Sequence, residues 1–227
     1  MHAGTAIHED LAGRRLVGAP LAPGALLHGL RRELRLAYLF GGRDAPALVL
    51  PGTLLTGAGL LHLGHGAGAA PALLRVIATL AFSVADHSLC LLCFVILNQI
   101  VGVEEDRVNA PHRPLAAGLV SLRGAWARLA ICAGLALLLA ASRPAVLPWC
   151  ALFLVATVVN NCTGIDRLPL AKDAMVFVGF ALHLGAGWMA AVPTFAGDGA
   201  ARWILVLSLG FVLVIPMQDL RPAGSPT

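Results

Sequence analysis

The feature that most constrains this chain is a series of long apolar runs separated by short charged connections. Six are read, at roughly 45–63, 73–103, 122–141, 145–162, 171–192 and 202–218. Each approaches or exceeds the ~20 apolar residues that a helix needs to cross hydrocarbon. The composition agrees: of 227 residues, 58% are hydrophobic and 12% are charged, with mean hydropathy +0.82, whereas soluble domains carry about 25% charged residues. The reading is an all-α integral membrane protein, a multi-span helical bundle held in a lipid bilayer. The second run is long at about 1.5 Å per residue, so it should tilt or carry its C-terminal end beyond the lipid. A net charge of +4 does not indicate nucleic acid as a partner, because the basic residues flank apolar runs rather than forming one stripe.

Arginine and lysine set the expected orientation. Arg14, Arg15, Arg31, Arg32, Arg35 and Arg43 precede the first span. The successive connections carry Arg75; then Arg107, Arg113, Arg123 and Arg128; then Arg143; then Arg167 and Lys172; then Arg202. This alternation predicts a cytoplasmic N-terminus by the positive-inside rule. The predicted organisation is a cytoplasmic segment 1–44, a transmembrane domain 45–218 and a short tail 219–227. The first thirty residues lack a contiguous apolar stretch with a cleavage site and read as having no signal peptide. Six of the twelve carboxylates (Glu104, Glu105, Asp106, Asp166, Asp173 and Asp219) fall on the same predicted face. Acid does not orient membrane proteins, so this clustering calls for a chemical reason.

The densest group is in residues 98–118, NQIVGVEEDRVNAPHRPLAAG. If the second span stays helical through its end, Asn98, Gly102, Glu105 and Asp106 share one face at i, i+4, i+7 and i+8. An amide and two carboxylates suit Mg²⁺, which takes one or two carboxylates and completes its shell with water and substrate phosphate. Arg113, as a fork, and Lys172, as a point charge, could hold the phosphate from the other side. Pro111 and Pro114 keep the segment around Arg113 out of helix. The same residues also fit a solvated loop whose acids and arginines pair with each other.

The order of residues resembles the first signature of the UbiA superfamily of intramembrane prenyltransferases. Asn98, Asp106, Asn109, Pro111, Arg113, Pro114 and Gly118 match it in order and spacing, at the end of the second span. The resemblance implies a bundle around a central cavity, binding Mg²⁺ and an isoprenyl diphosphate between two acidic motifs. It implies diphosphate contacts from Asn98, Asn109, Arg113, Arg167 and Lys172, and metal ligation by Asn98, Glu105, Asp106 and Asp219. The last of these lies in IPMQDLRPAGSPT after the sixth span. The sequence departs from the pattern at Gln99 and Gly102, where the family has aspartates; acid reappears at Glu104 and Glu105. This form resembles the terpene-cyclase-like branch. Members have nine spans, so the resemblance covers about the first two-thirds of one and implies that the C-terminal third is missing.

Three functions follow from the resemblance: prenyl transfer to an aromatic or lipid acceptor, terpene cyclisation without an acceptor, or a shortened, non-catalytic membrane protein. Asp106 would act in ionising the diphosphate. Asp86, with His87, sits mid-span, where an ionised acid costs about 2.5–3.5 kcal/mol on insertion scales. It reads either as a catalytic acid or base facing the cavity or as a paired polar residue between helices. Aromatics able to steer a carbocation are few: Phe82, Phe94, Phe177, Phe180, Trp126 and Trp188. Cys90 and Cys93 form a CxxC, read as small buried thiols because they lie within a membrane helix without a second pair. His62 and His65 have the wrong spacing for a helical zinc pair.

Overall fold

Each of the six predicted spans falls on a helix in the computed structural model, which describes residues 23–66, 73–165, 168–195 and 199–214, so that 215–218 of the last span lie outside the described residues. Among these residues all regular structure is helical. The elements are α1 (Pro23–Gly41), α2 (Ala45–Gly66), α3 (Leu73–Val101), α4 (Val103–Asn109), α5 (Leu122–Ala141), α6 (Leu147–Cys162), α7 (Pro169–Ala191) and α8 (Ala200–Val214). Four segments, Ala45–Gly64, Leu73–Val101, Leu122–Ala141 and Leu170–Ala191, are long and apolar enough to cross a membrane. α6 and the described part of α8 are apolar but shorter, at 16 and 15 residues.

α1 is not among the predicted spans. Leu, Arg, Glu and Ala are good helix formers, and they dominate PGALLHGLRRELRLAYLFG. The chain divides within this helix into a small unit ending at Arg35 and the main bundle from Leu36 onward. In the small unit, Leu27, Leu30 and Leu34 form an exposed apolar stripe.

α3 is the central helix of the bundle, packing against α2, α5, α6 and α7. Just over half of its apolar stretch is buried (56%), against 17% for α5, whose side chains Ile131 and Leu138 face outward. At 29 residues α3 is about 43 Å long, longer than the ~30 Å hydrocarbon layer, as its sequence predicts. Leu91, Val95, Ile96 and Ile100 on α3 pack with Leu36 and Phe40 of α1, Ala125 of α5, and Leu115 and Val120 from the loop before α5. A second cluster joins α3 to α5, α6 and α7, and a third joins α7 to α8.

The contact between α2, α3 and α7 is polar and very close. Thr56 Oγ1 donates to the Gly187 carbonyl at 2.7 Å and lies 2.8 Å from Ser83 Oγ. The same hydroxyl also lies 3.1 Å from the Gly52 carbonyl one turn back on α2. His87 Nδ1 sits 2.7 Å from the Ser83 carbonyl and Nε2 sits 3.0 Å from the His183 carbonyl. Glycines permit the approach: a Cβ on Gly187 would overlap the Gly52 carbonyl, and one on Gly52 would overlap the His87 ring. At the opposite end of α3 from Asp106, Arg143 in the α5–α6 connection donates to Ala190 O at the end of α7 and to Thr79 Oγ1 (3.2 Å). Its guanidinium also lies 4.4 Å from the centre of the Phe82 ring. Burial, and then the like charge of Arg75, lower the pKa of Arg143.

The Gly187→Ala substitution should force α2 and α7 apart and cost about 1–3 kcal/mol. Gly179→Ala, on the same helix with open space around it, should be neutral or stabilising by up to about 1 kcal/mol. Thermal unfolding in detergent, followed by helical circular dichroism, compares the two; equal midpoints would contradict the close approach.

Candidate active site

The site begins where α3 leaves the apolar core. At Gly102 the backbone departs from helical geometry (φ −92°, ψ 13°). Helical hydrogen bonding nevertheless continues across it, from Gly102 N to Asn98 O (2.9 Å) and from Asp106 N to Gly102 O (2.8 Å). Asn98 and Asp106 therefore stay in helical register, two turns apart. The ridge does not hold all four residues together, however: Asp106 is buried at 7% exposure, whereas Glu105 is exposed and lies 3.5 Å from Asn109 Nδ2.

The chain after α4 is held by a short anchored loop. Ala110 N bonds to Asp106 O at 2.8 Å, and Pro111 follows, which cannot continue the helix. Pro114 and Leu115 are buried, and buried Gln99 accepts a long hydrogen bond from Leu115 N (3.5 Å). Gly118 takes φ +71°, a left-handed conformation that residues with a Cβ rarely adopt. Ser121 then caps α5 by accepting from Gly124 N at 3.1 Å. With both ends fixed, Arg113 donates from Nη1 to Asp106 Oδ1 at 2.7 Å. Asp106 Oδ2 is buried without a hydrogen-bond partner. The neighbouring Arg107–Glu104 pair, at 2.6 Å, is exposed on both sides and forms a solvated surface pair.

A second polar residue, not singled out from the sequence, completes the inner side. Asn161, buried at the end of α6, donates to Thr157 O at 2.8 Å and accepts from Asn98 Nδ2 at 3.1 Å. Its bond to Thr157 fixes which end of the Asn161 amide faces Asn98. That in turn commits Asn98 Nδ2 to Asn161 and leaves the Asn98 side-chain oxygen as the group available to a cation. The only sequence signal was an amide pair, Asn160–Asn161, closing an apolar run.

The other predicted residues are placed as follows. Lys172 is exposed in the first turn of α7. Arg167 and Asp219, together with Asp166, lie outside the described residues. Asp86 is almost wholly buried and lies twelve residues before Asn98 on α3, about 18 Å along the helix. Its neighbours are Cys90 and Cys150. Among the described residues, those three form the only group of three or more His, Cys, Asp or Glu side chains with ligand atoms mutually within reach of one ion. An apolar cleft of about 390 Å³ is lined in part by Leu55, His62, Trp188 and Trp203, from α2, α7 and α8.

Residues 45–222 match the UbiA prenyltransferase family. The chain belongs to that family. It is 32% identical over 191 residues to the somaliensene A/B synthase of Streptomyces somaliensis, covering 84% of this chain and 60% of that protein. It is 31% identical over 194 residues to the diterpene cyclase eriG of Hericium erinaceus, covering 85% and 60%. It is 29% identical over 164 residues to the polyprenyl transferase eriF of the same fungus, covering 71% and 54%. The chain thus spans a little over half the length of these relatives. No solved structure is significantly similar to it. UbiA membership and the four crossing helices make this a multi-pass integral membrane protein with the all-helical fold its sequence predicts.

Asn161→Ala should leave the Asn98 amide without its partner and cost about 1–3 kcal/mol. Asn160→Ala, at a half-buried neighbouring position, should cost less than half of that. Thermal unfolding of both variants measures the difference.

Proposed function

We propose that this UbiA-family chain ionises an allylic isoprenyl diphosphate at the Asp106–Arg113 pair and cyclises the resulting carbocation as a terpene cyclase. The observation that carries the ionisation site is the state of Asp106: it is buried, with one oxygen on the Arg113 fork and the other unpartnered. Cyclisation is supported by the two relatives named as a terpene synthase and a diterpene cyclase. The relative named as a polyprenyl transferase supports a second reading, in which the prenyl cation passes to an aromatic or lipid acceptor.

The donor chemistry fits Mg²⁺: Asp106 Oδ2 is buried without a partner and the Asn98 side-chain oxygen is uncommitted, and both are hard oxygen ligands. When bound, Mg²⁺ supplies Lewis-acid neutralisation of the leaving diphosphate. Glu105 and Asp219 are proposed as further ligands. Arg113 keeps 40% of its side chain exposed beside Asp106, which leaves its guanidinium open to diphosphate oxygens. Its planar fork then stabilises the charge that develops as the C–O bond breaks and the electron pair leaves with diphosphate. Asn109, Lys172 and Arg167 are proposed as additional diphosphate contacts. The apolar faces of the bundle exclude water from the cation, and an alkene of the same chain closes a C–C bond before a final proton is lost. Trp126 is half exposed and Phe82 is covered by Arg143, so neither is assigned to steering the cation. By the arginine count, the acidic loops and the N-terminus face the cytoplasm.

The test is release of inorganic diphosphate from geranyl, farnesyl and geranylgeranyl diphosphates by membranes containing this chain, without acceptor. Mg²⁺-dependent release with a cyclic hydrocarbon product is expected. Asp106→Asn and Arg113→Lys should each lower the rate about 10²–10³-fold, the loss typical of removing one group that stabilises developing charge. Release that appears only with an added acceptor would favour transfer, and absence of release under both conditions would overturn the proposal.

A further inference from the structure

Three side chains that the ionisation chemistry does not use meet inside the bundle. Asp86 and Cys90 lie one turn apart on α3, and Cys150 reaches them from the first turn of α6. All three are 2% exposed or less, and their ligand atoms lie within 4.8 Å of one another. Cys90 Sγ and Cys150 Sγ are 3.9 Å apart, and both cysteines are free. Asp86 Oδ1 is buried and has no hydrogen-bond partner.

We propose that Asp86, Cys90 and Cys150 form a binding site for a thiophilic divalent cation, Zn²⁺, separate from the diphosphate site. Geometry, the orphaned oxygen and charge support it. Zinc–sulfur bonds of about 2.3 Å in a tetrahedron place two sulfurs about 3.8 Å apart, and the observed separation is 3.9 Å. Two thiols packed against one another explain their burial, but they leave the Asp86 oxygen without a partner, and a cation between the three ligands supplies one. On binding, each thiol releases its proton to solvent and ligates as thiolate. Two thiolates, one carboxylate and Zn²⁺ then carry a single net negative charge, the same as an ionised Asp86 alone but spread over three ligands.

The neighbours narrow the ligand set further. His87 adjoins Asp86 in sequence, but its two ring nitrogens already face the Ser83 and His183 carbonyls. Zinc sites with three protein ligands keep water in the fourth position. Two sulfurs reject Mg²⁺, which requires oxygen ligands in an octahedron, so the two sites select different cations.

The test uses the full chain in detergent, reduced with a phosphine, stripped with a chelator and titrated with Co²⁺ as a spectroscopic substitute for Zn²⁺. Thiolate-to-cobalt charge transfer and tetrahedral visible bands are expected, saturating at one equivalent per chain and bleached by Zn²⁺. Cys150→Ser should abolish the bands, and Asp86→Asn should weaken cobalt affinity at least tenfold. Cys162→Ser, at an exposed position, should change nothing. Because Cys150→Ser could disturb packing, the unaltered chain decides the question independently. Binding below one-tenth of an equivalent with thiols confirmed reduced would overturn the proposal. Bands that persist in a folded Cys90→Ser/Cys150→Ser double variant would do the same.

Discussion

Helices in lipid gain little by hiding apolar side chains from surroundings that are equally apolar, so their association depends on close packing and internal hydrogen bonds. In this protein that constraint is met along one seam. Gly187 lets α7 approach the α2 backbone at Gly52, and Gly52 makes room for the His87 ring of α3, while Thr56, Ser83 and His87 connect both helices to α3. The seam fixes α3 in the interior. Everything chemical in the structure is then a matter of what α3 presents along its length: a polar knot and two thiols within the bundle, and an acidic turn where it emerges.

The polar residues of the acidic turn are held from both sides. Asn161 orients the Asn98 amide from α6, and the buried Pro114–Leu115 pair pins the loop that carries Arg113. The Asp106–Arg113 ion pair therefore joins a buried carboxylate to an anchored loop. Glu104 and Arg107, three residues apart and both exposed, show what the ordinary alternative looks like in the same turn.

Much of this was legible in the sequence because the length of an apolar run reports directly on membrane crossing. The six spans fall on six helices, and the spacing from Asn98 to Gly118 identified the acidic turn and its family. Other features were not legible because they depend on contacts between distant segments. Asn161 reads as the end of an apolar run until α6 is placed beside α3. Gln99, which differs from the family's aspartate, is buried and used to hold the Leu115 amide. Cys90 and Cys150 are sixty residues apart, and nothing in their spacing announces that they meet. α1 is not evident from hydropathy because Arg31, Arg32, Glu33 and Arg35 interrupt its apolar residues before they reach the length of a span.

The central claim is that Asp106 and Arg113 together grip a diphosphate with the help of Mg²⁺. Calorimetric titration of inorganic diphosphate into the purified chain tests it without requiring turnover or knowledge of the prenyl chain. The account predicts saturable binding in Mg²⁺ that disappears in EDTA and in Asp106→Asn. Binding of equal affinity with and without Mg²⁺, or undiminished by Asp106→Asn, would contradict it.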